Sequence, residues 1–353
     1  MKAILLAGGM GSRLRPLTLH TPKPIMPIFD RPFLYYQIEM LKSLPEIDEV
    51  ILSLNYQPES IEAVVKDGAD TGLPIRYVVE PSPRGTGGAV KFVEPHLDGT
   101  VIVFNGDVLT KIDLPALLRL HRTRNASATI VLTPVNNPTA YGLVETDADG
   151  NVRRFLEKPN PADITCNTIN AGIYILEPDT FDRIPTETHY SIERKYFPSL
   201  IERGETFVAY IHRGYWLDIG TPEKYFQAHR DIMSGRFAAH PFVDQPPDQP
   251  LVTPEAMVDP AADLRGPCYV GTGARIEANA RIAANSVVGE NVTVRAGATV
   301  DGSIVWGDTI IGPEATVSNS IIGRNCLIEA HASIGPDVVL GNGSVIASYS
   351  RMS

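Results

Sequence analysis

The sequence predicts two architectures in one chain: an α/β domain with a mostly parallel, mixed sheet over residues 1–235 and a parallel β-helix over 267–350, joined by a proline-rich connector at 236–266. Two periodicities carry this. In the first two-thirds, short apolar runs alternate with helix-like segments, the pattern of strands joined by crossover helices. In the last third, apolar residues return every six positions, which fits neither a helix nor a sandwich strand. A length of 353 residues, at about 150 per domain, also allows two domains.

The buried strands are expected at 3–7, 50–54, 75–79, 101–105 and 129–132, each a short Val/Ile/Leu-rich run. Residues 33–44 after Pro32 read as a helix with proline at its first turn. A second helix opens at Thr221-Pro222 and stops near Gly235, with threonine as cap, proline at N1 and glycine beyond the end. Right-handed crossovers then give a mostly parallel sheet. From Arg236 to Pro267 the periodicity disappears, and prolines 241, 246, 247, 250, 254, 260 and 267 interrupt any helix or central strand.

The hexads run through Val270, Ile276, Ile282, Val288, Val294 and Val300. After a slip of one they resume at Val305, Ile311 and Val317, and after a second at Ile322, Ile328, Ile334, Leu340 and Ile346. Four residues on, the side chain is usually small (Ala274, Ala280, Ser286, Ala298, Thr309, Ala315, Cys326, Ala332, Ser344), as an inward corner of a tightly wound coil requires. Each rung buries its apolar face only by stacking on its neighbours. The two slips read as turns where the coil loosens. Cys326 falls on a small inward position and reads as packing.

Hydrophobic residues at 43% and charged residues at 20% exclude wholesale disorder. A net charge of -10 argues against a sequence-independent nucleic-acid binder, which needs surplus Lys and Arg. Cys166, Cys268 and Cys326 form no CxxC pair, so neither a disulfide framework nor a zinc site is expected, and a reducing cytoplasm fits. The apolar run at Met1–Ala7 is too short for a signal peptide, and no run approaches a membrane span.

The chemistry concentrates in Leu6-Ala7-Gly8-Gly9-Met10-Gly11-Ser12-Arg13-Leu14, directly after the first strand. Glycines there let backbone N–H groups approach a phosphate; a plain glycine turn reads equally well from the loop alone. The loop matches neither the P-loop, lacking its lysine, nor the spaced dinucleotide fingerprint. Arg13 and Lys23, two cations close to the glycines, suit a polyphosphate.

The run Gly8 to Thr18 followed by Pro22-Lys23-Pro24 resembles the signature of the sugar-1-phosphate nucleotidylyltransferases. Asn105-Gly106-Asp107 looks like the family's metal-binding aspartate turn. Tyr141-Gly142, Glu157-Lys158-Pro159 and Asn170-Ala171-Gly172 look like its sugar-phosphate contacts, and Trp216 to Pro222 like the segment supplying a second metal carboxylate, Asp218. The resemblance covers residues 1 to about 235. It implies a Rossmann-like nucleotidyltransferase domain, with the tail of a subclass whose β-helix is left-handed. Arg13, Lys23 and Asp107 would be catalytic, and Leu6, Ala7, Gly8, Gly9, Gly11, Ser12, Arg13, Glu80, Gly85 and Thr86 would hold the nucleotide. Tyr141, Gly142, Glu157, Lys158, Asn170 and Gly172 would hold the sugar phosphate, and Asp107 and Asp218 would bind Mg²⁺, which accepts oxygen ligands.

The segment Glu80 to Gly88 resembles the family's base-reading loop. A carboxylate only accepts hydrogen bonds, and guanine offers two adjacent donors where thymine offers one, so Glu80 points to GTP; it could also simply face solvent. The motifs as a set are most similar to mannose-1-phosphate guanylyltransferases, with glucose-1-phosphate thymidylyl or uridylyl transfer as the alternative. A non-catalytic nucleotide-sugar-sensing subunit would have lost Arg13, Lys23 or a carboxylate, and an acyltransferase tail would depend on His331, which reads better as a solvent or interface residue. The tail itself implies a homo-oligomer.

Overall fold

In the computed structural model, which describes residues 1–353 except Pro247, contacts divide the chain into two units. The first is Met1–Gly9 with Leu34–Asp218; the second is Met10–Phe33 with Ile219–Ser353. The division therefore departs from chain order, because the loop after the first strand and the helix at Thr221 belong with the tail.

The first unit is built on β1 (Lys2–Leu6), β2 (Glu49–Leu54), β3 (Ile75–Val79), β4 (Val101–Asn105), β6 (Ala128–Pro134), β7 (Gly142–Thr146), β8 (Val152–Glu157), β9 (Thr168–Leu176) and β10 (Phe207–Ile211), with β5 (Val108–Thr110) and β11 (Trp216–Asp218) as a separate antiparallel pair. Its strand order is β8-β7-β9-β4-β1-β2-β3, with β6 joining β9 to β10. The strands β4, β1, β2 and β3 are parallel, and β9 runs antiparallel to β4. Helices α1 (Phe33–Leu41), α2 (Pro58–Val65), α3 (Gly85–Val93), α4 (Leu114–Thr123) and α5 (Phe197–Glu202) alternate with the strands. Ile4, Ile51, Val103, Ile130, Tyr174 and Phe197 share one core, so the Val/Ile-rich runs are continuous because they are covered on both faces. All five expected strands are present.

In the second unit, α6 (Pro222–Met233) has the expected ends: the Thr221 side chain accepts the Lys224 N–H, Pro222 sits in the first turn and Gly235 adopts φ +72°. The tail is a parallel β-helix of three ladders. Its anchors stack as Val270, Val288, Val305, Ile322 and Leu340, so the coils are 18, 17, 17 and 18 residues long. Each slip is one five-residue rung, and the coil there tightens, which corrects the expectation that it loosens. Ser303 and Ser320 at these rungs are fully buried, and Ser303 Oγ accepts the Ser320 N–H at 3.1 Å.

Every corner from Gly273 to Tyr349 holds a residue at positive φ, with Asn279, Asn285, Asn291, Asp308, Asn319, Asn325 and Asp337 among them. Asn, Asp and Gly tolerate this conformation best and fill most of the corners, with Glu314, His331 and Tyr349 at the others. The small inward residues also satisfy the corners: Ser286 Oγ donates to Val300 O, Thr309 Oγ1 to Gly323 O and Cys326 Sγ to Gly341 O. Burial pushes the Cys326 thiol up, consistent with packing. His331 is an exposed corner residue stacked on Tyr349 at 4.7 Å.

The ladders begin inside the stretch read as connector. Pro250–Val252, Met257–Val258 and Asp263–Leu264 pair with Cys268–Val270, Arg275–Ile276 and Arg281–Ile282. Proline density does not prevent this, since Pro254 and Pro260 sit in turns and Pro250 opens a strand at the sheet edge. Pro247 lies outside the described residues.

Within this unit the loop before Phe33 is fastened to the tail. Trp306 Nε1 donates to Tyr225 Oη at 3.0 Å, Tyr225 donates to Pro27 O, and Asn342 Nδ2 donates to Thr21 Oγ1 at 3.2 Å. Phe29 packs against His229 and Tyr269 with ring centroids 4.9 and 5.4 Å apart. Burial lowers His229 to about 4, so the neutral ring holds the Phe29 N–H on Nε2.

Candidate active site

In the first unit, β4 ends in Asn105, and Gly106-Asp107 turns the chain into β5. Gly106 N donates to Leu6 O at 3.0 Å, and a Cβ on Gly106 would lie 2.5 Å from that oxygen. Only glycine lets the turn rest so closely on β1. Asp218 on β11 pairs with Val108, the residue after Asp107. The two carboxylates expected to bind metal are thus brought to the same end of one strand pair, Asp218 on its last rung and Asp107 in the turn just before it. Tyr141 Oη donates to Asp218 Oδ1 at 2.9 Å, and the Tyr141 ring meets Trp216 edge-on at 5.6 Å.

Asn170-Ala171-Gly172 forms a bulge in β9, where the register against β6 shifts. Gly172 has φ +75° and abuts Asn105, and its N–H donates to Asn170 Oδ1 at 2.9 Å. Trp216 Nε1 donates to Ala171 O at 2.9 Å, tying the bulge to the Asp218 strand. Gly142 pairs with Glu157, and a Cβ there would lie 3.0 Å from Glu157 Oε2. Burial, then the Glu193 charge, pushes Glu157 up against the pull of Lys158 and Arg194. Lys158 is exposed at φ +52°, its N–H on Tyr141 O. The structure therefore groups Asp107, Asp218, Tyr141, Gly142, Glu157, Lys158, Asn170 and Gly172 through shared strand pairs and hydrogen bonds.

Leu6 and Ala7 commit their backbone to neighbours, since Leu6 O holds Gly106 N and Ala7 N donates to Ser53 O. Gly8 abuts Asn55, whereas among the described residues nothing beyond its chain neighbours lies within 4 Å of a Cβ placed on Gly9. Glu80 is 7% exposed: Oε2 accepts the Arg84 N–H at 2.9 Å and Oε1 the Ser53 hydroxyl at 3.3 Å. Burial raises its carboxyl, opposed by those two bonds. Glu80 is therefore first of all a pin for the loop that follows it and does not simply face solvent. Thr86 Oγ1 donates to Glu193 and accepts the Ile192 N–H, and Gly85 (φ +71°) lies against Tyr190 O. These contacts give Gly85 and Thr86 a packing role.

In the second unit, Gly11 (φ +58°) has Thr18 and the Lys23 stem against it, with Thr18 Oγ1 donating to Gly11 O at 2.9 Å. Ser12-Arg13-Leu14 forms a short 3₁₀ turn. The Arg13 guanidinium lies on Gly220, where a Cβ would sit 2.7 Å from Nη2.

Sequence reasoning missed Gln37 and gave no role of their own to Thr18 and Gly220, which lie within the motif runs. Gln37 had a signal: it is the polar member of the helical stripe Phe33-Gln37-Leu41, and it is 1% exposed.

Among the described residues no cluster of three or more His, Cys, Asp or Glu could cage a metal. Asp107 and Asp218 offer hard oxygen donors alone, which fits Mg²⁺, an ion that leaves its other positions to phosphate oxygens and water.

The family model described as nucleotidyl transferase matches residues 2–235. The chain belongs to that family. A second model, the left-handed β-helix (LbH) domain of the EIF2B epsilon subunit, matches 252–352; the tail of this nucleotidyl transferase is accordingly a left-handed β-helix. The chain is 41% identical over 276 residues to the mannose-1-phosphate guanylyltransferase of Mycobacterium tuberculosis, covering 78% of this chain and 76% of that one. It is 32% identical to a UTP–glucose-1-phosphate uridylyltransferase of Synechocystis, covering 89% and 85%. The solved structure of HddC from Yersinia pseudotuberculosis complexed with GMP-PN superposes with a TM-score of 0.56 at 30% identity, over 65% of this chain and 99% of that one. The fold expected from the two periodicities and the family that the motifs resemble are borne out. Among the described residues no helix is long and apolar enough to cross a membrane.

Proposed function

We propose that this nucleotidyl transferase joins GTP and mannose-1-phosphate to give GDP-mannose and pyrophosphate. The observation that carries the reaction class is the β5–β11 pair, which sets Asp218 opposite the residue after Asp107 and so gathers two hard carboxylates at one end of the pair. An oxygen of the sugar phosphate attacks the α-phosphorus in line; the new P–O bond forms as the bond to the β-bridging oxygen breaks, and pyrophosphate leaves with the electron pair. The attacker is already an anion, so no protein nucleophile or proton transfer is required. The chain's task is to hold mutually repelling anions in line.

Arg13 would hold the leaving pyrophosphate, Lys23 the α-phosphate and Lys158 the sugar phosphate, while Glu157, Asn170 and Gly172 would face the sugar phosphate. Gly9, with open space where a side chain would be, leaves its backbone bare for a phosphate. Mg²⁺ held by Asp107 and Asp218 would supply positive charge against the triphosphate and the leaving group. The choice of guanine and mannose leans on the relatives' names more than on Glu80, whose carboxylate would meet a base only through lone pairs left over from Arg84 and Ser53. Self-association through the β-helix belongs to the same proposal, supported by the exposed Val345 and Tyr349 of its last rungs. So does a cytoplasmic setting, supported by three free cysteines.

Pyrophosphate release with Mg²⁺, across GTP, UTP, dTTP, ATP and CTP paired with mannose-1-phosphate or glucose-1-phosphate, tests the reading. Turnover confined to GTP with mannose-1-phosphate and lost in Asp107→Ala is expected. A preference for UTP with glucose-1-phosphate would replace the specificity, and silence with every pair would replace the enzyme with a sensing subunit.

A further inference from the structure

We propose that Gln37 is a positioning residue for Asp107, holding from α1 both ends of the turn that carries this carboxylate. Its Nε2 donates to Asn105 O at 3.0 Å and to Val108 O at 2.9 Å. Only Gly106 and Asp107 lie between those two carbonyls, so one amide group spans the whole turn with its two hydrogens. The orientation is fixed by chemistry: both partners are acceptors, and only the NH₂ end can face them. Val108 is also the rung opposite Asp218, so the same grip reaches the strand pair that brings in the second carboxylate.

The side chain is costly where it sits. Gln37 is 1% exposed on an otherwise apolar helix stripe, and among the described residues its Oε1 finds no hydrogen-bond donor. Leucine or methionine would fill the same space with no unpaired acceptor. What only an amide supplies here is the pair of donors to the turn. Groups that orient a metal's ligands commonly matter about as much as the ligands themselves.

This inference rests on reading Asp107 as a metal carboxylate, and the test separates the two. In Gln37→Met, Mn²⁺ binding followed by electron paramagnetic resonance in the presence of a non-hydrolysable GTP analogue is expected to weaken about tenfold. The Mg²⁺ concentration for half-maximal rate should rise in step, kcat should fall, and the KM for the sugar phosphate should hold within about twofold. Wild-type Mn²⁺ affinity in Gln37→Met, alongside weakened binding in Asp107→Asn, would overturn the proposal alone. Wild-type affinity in Asp107→Asn would overturn the metal reading and the proposal with it. Should Gln37→Met fail to fold, Gln37→Glu keeps the question open to measurement. Its protonated carboxyl can donate one hydrogen bond to the turn, so its activity relative to wild type should fall as pH rises. A flat ratio would count against the proposal.

Discussion

Replacing Gly106 with alanine probes the seat of the Asp107 turn. The new Cβ would lie 2.5 Å from Leu6 O and 3.2 Å from both Leu6 C and Ala7 Cα, backbone atoms at the end of a strand paired on both sides and of the residue that follows it. Ordinary contact begins at 3.4 Å, so the turn must lift by about 0.9 Å, and the 3.0 Å bond from Gly106 N to Leu6 O stretches or breaks. Overpacking of this kind costs about 1–3 kcal/mol, and the lost bond adds about 1 kcal/mol. At roughly 2–4 °C per kcal/mol for a unit of this size, Tm should fall by about 4–16 °C. The larger effect is on rate: a displacement near 1 Å at a group that must hold reactants in line costs on the order of a hundredfold. Pyrophosphate release under saturating substrates, measured well below the melting transition and normalised to folded protein, reads kcat directly. A variant with the expected Tm loss and wild-type kcat would refute the argument that the seating of this turn on β1 sets the place of Asp107.

Other residues give separate tests. Gly220→Ala puts a Cβ against the Arg13 guanidinium, a flexible end that can swing away; Tm should hold within about 2 °C, by the same scaling, while the KM for the nucleotide rises several-fold. An unchanged KM would remove Arg13 from the nucleotide site. Glu80→Gln leaves one oxygen where two now accept, one from Arg84 N–H and the other from the Ser53 hydroxyl, so every nucleotide should bind more weakly with the GTP-to-UTP preference kept; a switch of preference towards UTP would put the carboxylate on the base instead. The His229 ring, lowered to about 4 from 6.5, is neutral when folded and protonates more readily when unfolded. The second unit should therefore keep full stability from this group above about pH 6.5 and lose about 3 kcal/mol as pH falls to 4. Urea denaturation at pH 7 and 4.5, for wild type and His229→Gln, measures it, and equal slopes with pH in the two would count against a buried neutral ring.

How much of this was legible follows from what each signal encodes. The strand runs and the caps of α6 are local, and each was readable because Val/Ile burial on two faces and a Thr-Pro…Gly frame act within a few residues. The hexad phase gave the β-helix from Val270 onward, yet the first coil was passed over: Val252, Val258 and Leu264 continue the same phase and stack on Val270, Ile276 and Ile282, but the surrounding prolines read as a connector although they fall harmlessly in turns. The tightened rungs were misread because a missing residue looks like slack until Ser303 and Ser320 are seen buried and bonded across coils. In the site, Asp107, Asp218 and Tyr141 were found by motif, but their link runs through strand pairing between residues far apart in sequence. Glu80 shows the opposite limit: its residue type suggested a base reader, and only burial revealed its bonds to Ser53 and Arg84.

The tail also acquires a structural task that the hexad pattern could not express. Arg13 and Lys23 sit on the loop that groups with the β-helix, and the fastenings are specific. The Tyr225 hydroxyl sits between Trp306 of a central coil and Pro27 O, Phe29 is covered by Tyr269 of another rung, and Thr21 receives a hydrogen bond from Asn342. Tyr225, Tyr269 and Phe29 are each at most 4% exposed. A chain ended at Gly235 would open that aromatic cluster to water and strip the polar anchors from the loop. The β-helix therefore supplies the wall against which the cationic loop is ordered, and loss of its coils should be felt first in the placement of Arg13 and Lys23.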